Sequence, residues 1–111
     1  MDTLEKLERN GVHLKYEDVE RLCKKYHIIE LSIFGSSIRD DFNEDSDVDI
    51  LVTYESYEPG FILSLFDEMD LENEFSSLLN RDVDICDKVG LVNPFRREDI
   101  LASSEVVYAA R

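Results

Sequence analysis

The octet Asp47 to Tyr54, DVDILVTY, leaves the chain little choice of fold. In a strand successive side chains point to opposite faces. Asp47, Asp49, Leu51 and Thr53 then share one face, and Val48, Ile50, Val52 and Tyr54 share the other. The second set is apolar enough to lie against a core. The first opens with two carboxylates, about 6.6 Å apart at roughly 3.3 Å per residue. Like charges so placed repel unless a proton or a cation sits between them. Hard oxygen ligands with open positions suit Mg²⁺, which keeps waters and recruits substrate phosphates.

A strand upstream supplies the other half of a site. Ile28 to Phe34 is rich in β-branched and large apolar residues. Gly35 breaks it, where the backbone can adopt dihedrals that a Cβ forbids. Ser36 and Ser37 then offer hydroxyls and N–H groups where a short helix can begin, and such N-termini attract phosphate. One loop can hold a triphosphate and one strand the metals. Arg81 to Asp87 reads as a third strand, with Val83 and Ile85 on one face and Asp84 and Cys86 on the other. If Val83 and Ile85 join Val48 and Ile50 over the helices, Asp84 shares the open face with Asp47 and Asp49. It would then stand one strand spacing away, about 4.8 Å.

Gly35-Ser36, ten residues, then Asp47-Val48-Asp49 resembles the signature of the polymerase-β-like nucleotidyltransferases. The chain looks most like the minimal nucleotidyltransferases (MNT), small antitoxins paired with HEPN-domain toxins, and the resemblance covers nearly all of it. Ser37 and Asp40 stand where Arg and Gly are common, so the turn carries less positive charge against phosphate. The resemblance implies a polymerase-β-like fold and AMP transfer from ATP to a tyrosine hydroxyl of the toxin. It implies nucleotide binding by Gly35 and Ser36, with Arg39 at a basic position common in the family. It also implies that Asp47, Asp49 and Asp84 are catalytic and bind two Mg²⁺ ions. Asp84 would bind the metal nearest the incoming hydroxyl or take its proton. Two other readings stay open: an antitoxin that masks its toxin without chemistry, and an enzyme that modifies a small molecule such as an aminoglycoside.

At 111 residues one domain, 1–111, is expected. Twelve Lys and Arg against 26 Asp and Glu leave a net charge of −14, which argues against direct nucleic-acid binding and suits a protein partner. A hetero-oligomer with the toxin is the expected state. No apolar run approaches the roughly 20 residues of a membrane span, and MDTLEKLERN lacks the apolar core of a signal peptide, so a cytoplasmic location is expected. Cys23 and Cys86 lack CxxC spacing and read as buried free thiols.

Four helices are read around the strands. Asp2 to Arg9 carries a capping pair, Asp2 and Glu5, and ends at Asn10-Gly11. Tyr16 to Tyr26 presents Val19, Leu22, Cys23 and Tyr26 as a stripe, with His27 as a helix-end residue and His13 in a loop. Asp40 to Ser46 reads as a solvated acidic loop. From Pro59-Gly60 to Leu79 the stripe is Ile62, Leu65, Phe66, Met69, then Leu71, Phe75, Leu78 and Leu79, with a bend near Asp70. Gly90 closes a loop, and Asn93-Pro94 starts a last helix whose apolar surface, Phe95 to Tyr108, runs through to the end. The sum is an α/β domain: a small mixed sheet with helices on one face and an acidic site on the other.

Overall fold

In the computed structural model, residues 2–39, 42–43, 46–55, 65–88 and 94–110 are described, with backbone only at 65–67 and 94–96. The chain runs α1 (Thr3–Arg9), α2 (Tyr16–Lys25), β1 (Ile28–Phe34), a 3₁₀ turn (Gly35–Ile38) and β2 (Val48–Tyr54). It continues through α3 (Leu65–Leu79), β3 (Val83–Asp87), α4 (Pro94–Ser103) and β4 (Glu105–Ala109). The four strands form one sheet in the order β3-β2-β1-β4. β1 lies antiparallel to β2 and to β4, and β2 lies parallel to β3. The parallel pair needs a crossover, and α3 lies between the two strands in sequence.

The alternation in β2 decides the layering. Val48, Ile50 and Val52 are wholly buried, in one core with Leu31 and Ile33 of β1. Leu7 of α1, Val19, Leu22 and Cys23 of α2, and Leu71, Phe75 and Leu79 of α3 close that core. Burial without a partner pushes the Cys23 thiol up to about 12, so it is an inert thiol at neutral pH. The start of α1 follows the sequence reading, since the Asp2 carboxylate accepts from the Glu5 N–H at 2.9 Å. Asn10 caps its C-terminus and Gly11 takes φ +82°. Past α2, His27 adopts the left-handed conformation at φ +58°.

Five expectations need correction. The last helix does not continue to the end: α4 stops at Ser103, and residues 105–109 form β4 along the open edge of β1. Val106, Val107 and Tyr108 favour a strand. The hydroxyls of Ser103 and Ser104 also donate back to the Asp99 and Leu101 carbonyls, at 2.8 and 3.2 Å, and close the helix. Secondly, helices lie over both faces. Ile100 and Leu101 of α4 pack with Phe34, Leu51 and Cys86 on the face opposite the main core. Thirdly, Met69 is 53% exposed, so the α3 stripe among described side chains is Leu71, Phe75 and Leu79, with Leu78 half-buried. Fourthly, Cys86 is only partly buried. Finally, β3 starts at Val83 and not at Arg81. Pro59-Gly60, Ile62, Gly90 and Asn93, the side chains of Leu65, Phe66 and Phe95, and four residues of the acidic loop lie outside the described set.

Candidate active site

Register brings the two halves of the sequence signature together. Phe34, the last residue of β1, pairs with Asp49 of β2. Gly35 therefore emerges beside the Asp49 carboxylate, and its φ of +79° is one that side chains resist. A Cβ on Gly35 would overlap the Asp49 Oδ2 and would stand 3.4 Å from its Cγ. Glycine is thus required twice at this position, for its backbone conformation and for the space the carboxylate fills. The ten residues between Ser36 and Asp47 lie in sequence between two antiparallel strands, which is why their number matters.

The turn itself is shorter than a helix start. Gly35–Ile38 is a single 3₁₀ turn of four residues, so its free N–H groups, not a helix dipole, are what it can offer an anion. Ser37 is wholly buried and its Oγ lacks a hydrogen-bond partner among the described residues. Ser36 is half-buried and is the hydroxyl left near the surface. Arg39 caps the turn, its N–H donating to the Ser36 carbonyl at 2.9 Å, and it is exposed. The Asn10 amide, from the end of α1, donates to the carbonyls of Ser37 and Arg39 at 2.8 and 2.9 Å. The sequence reading passed over Asn10 because it fitted a helix end.

Across the sheet Asp49 pairs with Asp84, its neighbour on the parallel strand β3. Parallel partners point the same way, so the two side chains project from neighbouring strands, whose backbones run about 4.8 Å apart. Asp49 is half-buried and Asp84 exposed. Asp47 is exposed and precedes β2; it lines a cavity of about 360 Å³ with Asp84, Asp82, Glu72 and Ser76. The structure thus brings Asp84 to Asp49, and separately Asp47 to Asp84. Among the described residues no three His, Cys, Asp or Glu side chains are gathered closely enough to hold a metal ion by themselves. The donors are nonetheless of the right kind for Mg²⁺: carboxylate oxygens, open to solvent, beside a turn rich in N–H groups. Mg²⁺ at such sites is completed by waters and substrate phosphates, so fewer protein ligands suffice. A larger groove, about 830 Å³, runs between α2 and α3 past Lys25, Tyr26 and Glu74, and none of the signature residues line it.

Comparison with known proteins shows the family. The polymerase beta nucleotidyltransferase family model matches residues 17–111. The chain belongs to that family and is a nucleotidyltransferase. A Methanocaldococcus jannaschii protein provisionally named as a protein adenylyltransferase, MJ0126, is 40% identical over 81 residues, 73% of this chain and 78% of the relative. Protein adenylyltransferase MntA of Thermococcus cleftensis is 35% identical over 108 residues, 97% of each chain. A solved structure provisionally described as a minimal nucleotidyltransferase is 34% identical with TM-score 0.65, covering 94% of each chain. Two toxin–antitoxin structures share the fold. One, with AMP-PNP, has TM-score 0.69 at 18% identity and covers 88% of this chain and 76% of that one. The other is a tri-AMPylated Shewanella oneidensis HEPN toxin with its MNT antitoxin, TM-score 0.62 at 17% identity, covering 94% and 73%. Among the described residues no helix is long and apolar enough to cross a membrane.

Proposed function

We propose that this chain is an antitoxin that transfers AMP from ATP to a tyrosine hydroxyl of a HEPN-domain toxin and so silences it. The observation that carries the reading is the register Phe34–Asp49–Asp84, which sets the Gly35-Ser36 turn beside two carboxylates at one end of the sheet. The names of the relatives and the AMPylated toxin of the S. oneidensis complex support the acceptor class. The AMP-PNP complex supports ATP as donor. In this reading the N–H groups of Gly35 and Ser36 and the Ser36 hydroxyl bind the β- and γ-phosphates, with Arg39 beside them. Asp47, Asp49 and Asp84 would hold Mg²⁺, which would supply positive charge against the phosphates. The tyrosine oxygen bonds to the α-phosphorus, the bond to the β-phosphate oxygen breaks, and pyrophosphate leaves. Asp84, exposed at the edge of the site, would either bind the metal nearest the tyrosine hydroxyl or take its proton.

A masking antitoxin without chemistry is the alternative that the test must exclude. The partner's intact mass separates the two. With ATP and Mg²⁺, transfer predicts about 329 Da per AMP on a HEPN-domain partner, absent with Asp49→Asn. Inactivity of the modified toxin should persist after the two proteins are separated. No mass change, with toxicity recovered on separation, would leave masking as the function.

A further inference from the structure

We propose that Arg81 is a positioning residue that fixes Asp47 for the reaction. The inference rests on the reading above, in which Asp47 serves the site. The α3–β3 turn holds both chain neighbours of that aspartate. On one side the Arg81 Nη1 donates to the Ser46 carbonyl at 3.1 Å, one residue before Asp47. On the other, the Val48 N–H donates to the Asp82 carbonyl at 3.0 Å, one residue after it. The same Arg81 nitrogen also donates to the Asn43 carbonyl at 3.1 Å. Its guanidinium lies 4.5 Å from the centre of the Phe42 ring, and Phe42 in turn packs on the main core. One planar cation thus spans Phe42, Asn43 and Ser46 of the loop that delivers Asp47 to the sheet.

Arg81 is itself well anchored. Asn80 ends α3 in the left-handed conformation at φ +52°. The Arg81 N–H then donates to the Ser76 carbonyl at 3.2 Å, and the Ser76 hydroxyl donates to the Arg81 carbonyl at 2.7 Å. A cation that bridges two carbonyls while stacking on a ring needs the flat, forked guanidinium, and an ammonium does not replace it. The loop is acidic, and Asp47 lies outside the β2 ladder. Without Arg81 the Ser46 side of Asp47 would lose its hydrogen bond to the α3–β3 turn, while the Val48 bond on the other side would remain.

The test compares wild type, Arg81→Ala, Arg81→Lys and, as a charge control remote from the loop, Lys88→Ala. Amide hydrogen exchange without nucleotide should rise about tenfold or more across residues 42–48 in Arg81→Ala and Arg81→Lys, with α1, α2 and β1 unaltered. Affinity for MgATP, by calorimetric titration at a temperature where each variant is fully folded, should fall about 10- to 100-fold. Added methylguanidinium should restore Arg81→Ala in part, which a general loss of stability would not allow. Unchanged exchange and unchanged MgATP affinity in a folded Arg81→Ala would overturn the inference. Should Arg81→Ala not fold, Arg81→Lys decides by the same two measurements. A wild type that binds no MgATP would instead remove the parent reading, while the exchange experiment still decides whether Arg81 holds the loop.

Discussion

The two faces of the β2 strand are built on opposite physical terms. Val48, Ile50 and Val52 are wholly buried in one apolar core with side chains of three helices. One residue out of phase, Asp49 is half-buried at the open end of the other face, with Asp84 beside it, while Leu51 further along is covered by α4. The first face supplies stability. The second gives some up, since carboxylates at strand spacing repel and gain nothing from burial. What joins the faces is the pleat: the same register that fixes the core also fixes the carboxylates, and a one-residue slip would exchange them. A site on this strand therefore takes its precision from residues that never approach the substrate.

The comparison can be broken first on the core side. Phe75 is wholly buried beneath the sheet, and Phe75→Ala should cost about 3–5 kcal/mol in a denaturant titration. That is a large share of the roughly 5–15 kcal/mol that holds a domain together, so melting should fall steeply. In the cold, where the variant still folds, MgATP affinity should be retained. A Phe75→Ala variant of unaltered stability would mean that the core is elsewhere.

On the open face the expectation reverses. Asp84→Asn should leave the denaturant midpoint within about 0.5 kcal/mol of wild type, as for an exposed substitution. AMP transfer to the partner should fall about 100-fold or more, the scale of a lost general base. Full activity in Asp84→Asn would detach β3 from the chemistry, whatever its register.

The same division explains what the sequence disclosed. β2 and α2 were legible to within one residue because each carries a strict period, which one-sided burial leaves behind, and β1 was legible from its run of large apolar residues, buried on both faces near its end. Alternation also showed that Asp84 would share the face of Asp49 if β3 lay beside β2, and the register supplied the pairing itself. β4 was not, since Glu105 to Ala109 has no clean alternation: a register shift separates Leu31 from Ser32 where β1 meets it, and Val106 is 56% exposed. Met69 misled because apolar spacing on α3 was read as burial, although the helix turns that residue to solvent. Arg81 and Asn10 were invisible as parts of the site. Their targets are backbone carbonyls, at Ser46, Asn43, Ser37 and Arg39, and a carbonyl leaves no mark in the sequence. A polar residue at an element end reads as a cap whether or not it reaches across the fold.

The smallest expected effect lies on the helical layer, away from the site. The buried Tyr26 donates its hydroxyl proton to the Glu74 carboxylate of α3, and the Lys25 Nζ stands 3.1 and 3.2 Å from the two Glu74 oxygens. The Tyr26 hydrogen bond, aided by Lys25 and Arg21, holds the Glu74 carboxyl below the usual carboxylate range, with burial opposing. A carboxyl whose folded value is depressed contributes stability above its unfolded value, and that contribution is lost as pH falls through the folded one. Tyr26→Phe keeps the ring and removes the donor. It should cost about 1 kcal/mol or less at neutral pH, since the Glu74 side chain is one-third exposed and water screens the pair. The gap between the two proteins should narrow on acidification below the usual carboxylate range, as Glu74 takes up its proton in both. MgATP affinity should not change, because Tyr26 and Glu74 line the α2–α3 groove and not the cavity beside Asp84. Denaturant titrations of both proteins across that pH range, with nucleotide titration at neutral pH, test the two statements separately. A stability gap that widened in acid would reverse the sign assigned to Glu74. A change in nucleotide affinity would show that the helical layer reaches the open face by a route other than the strand register.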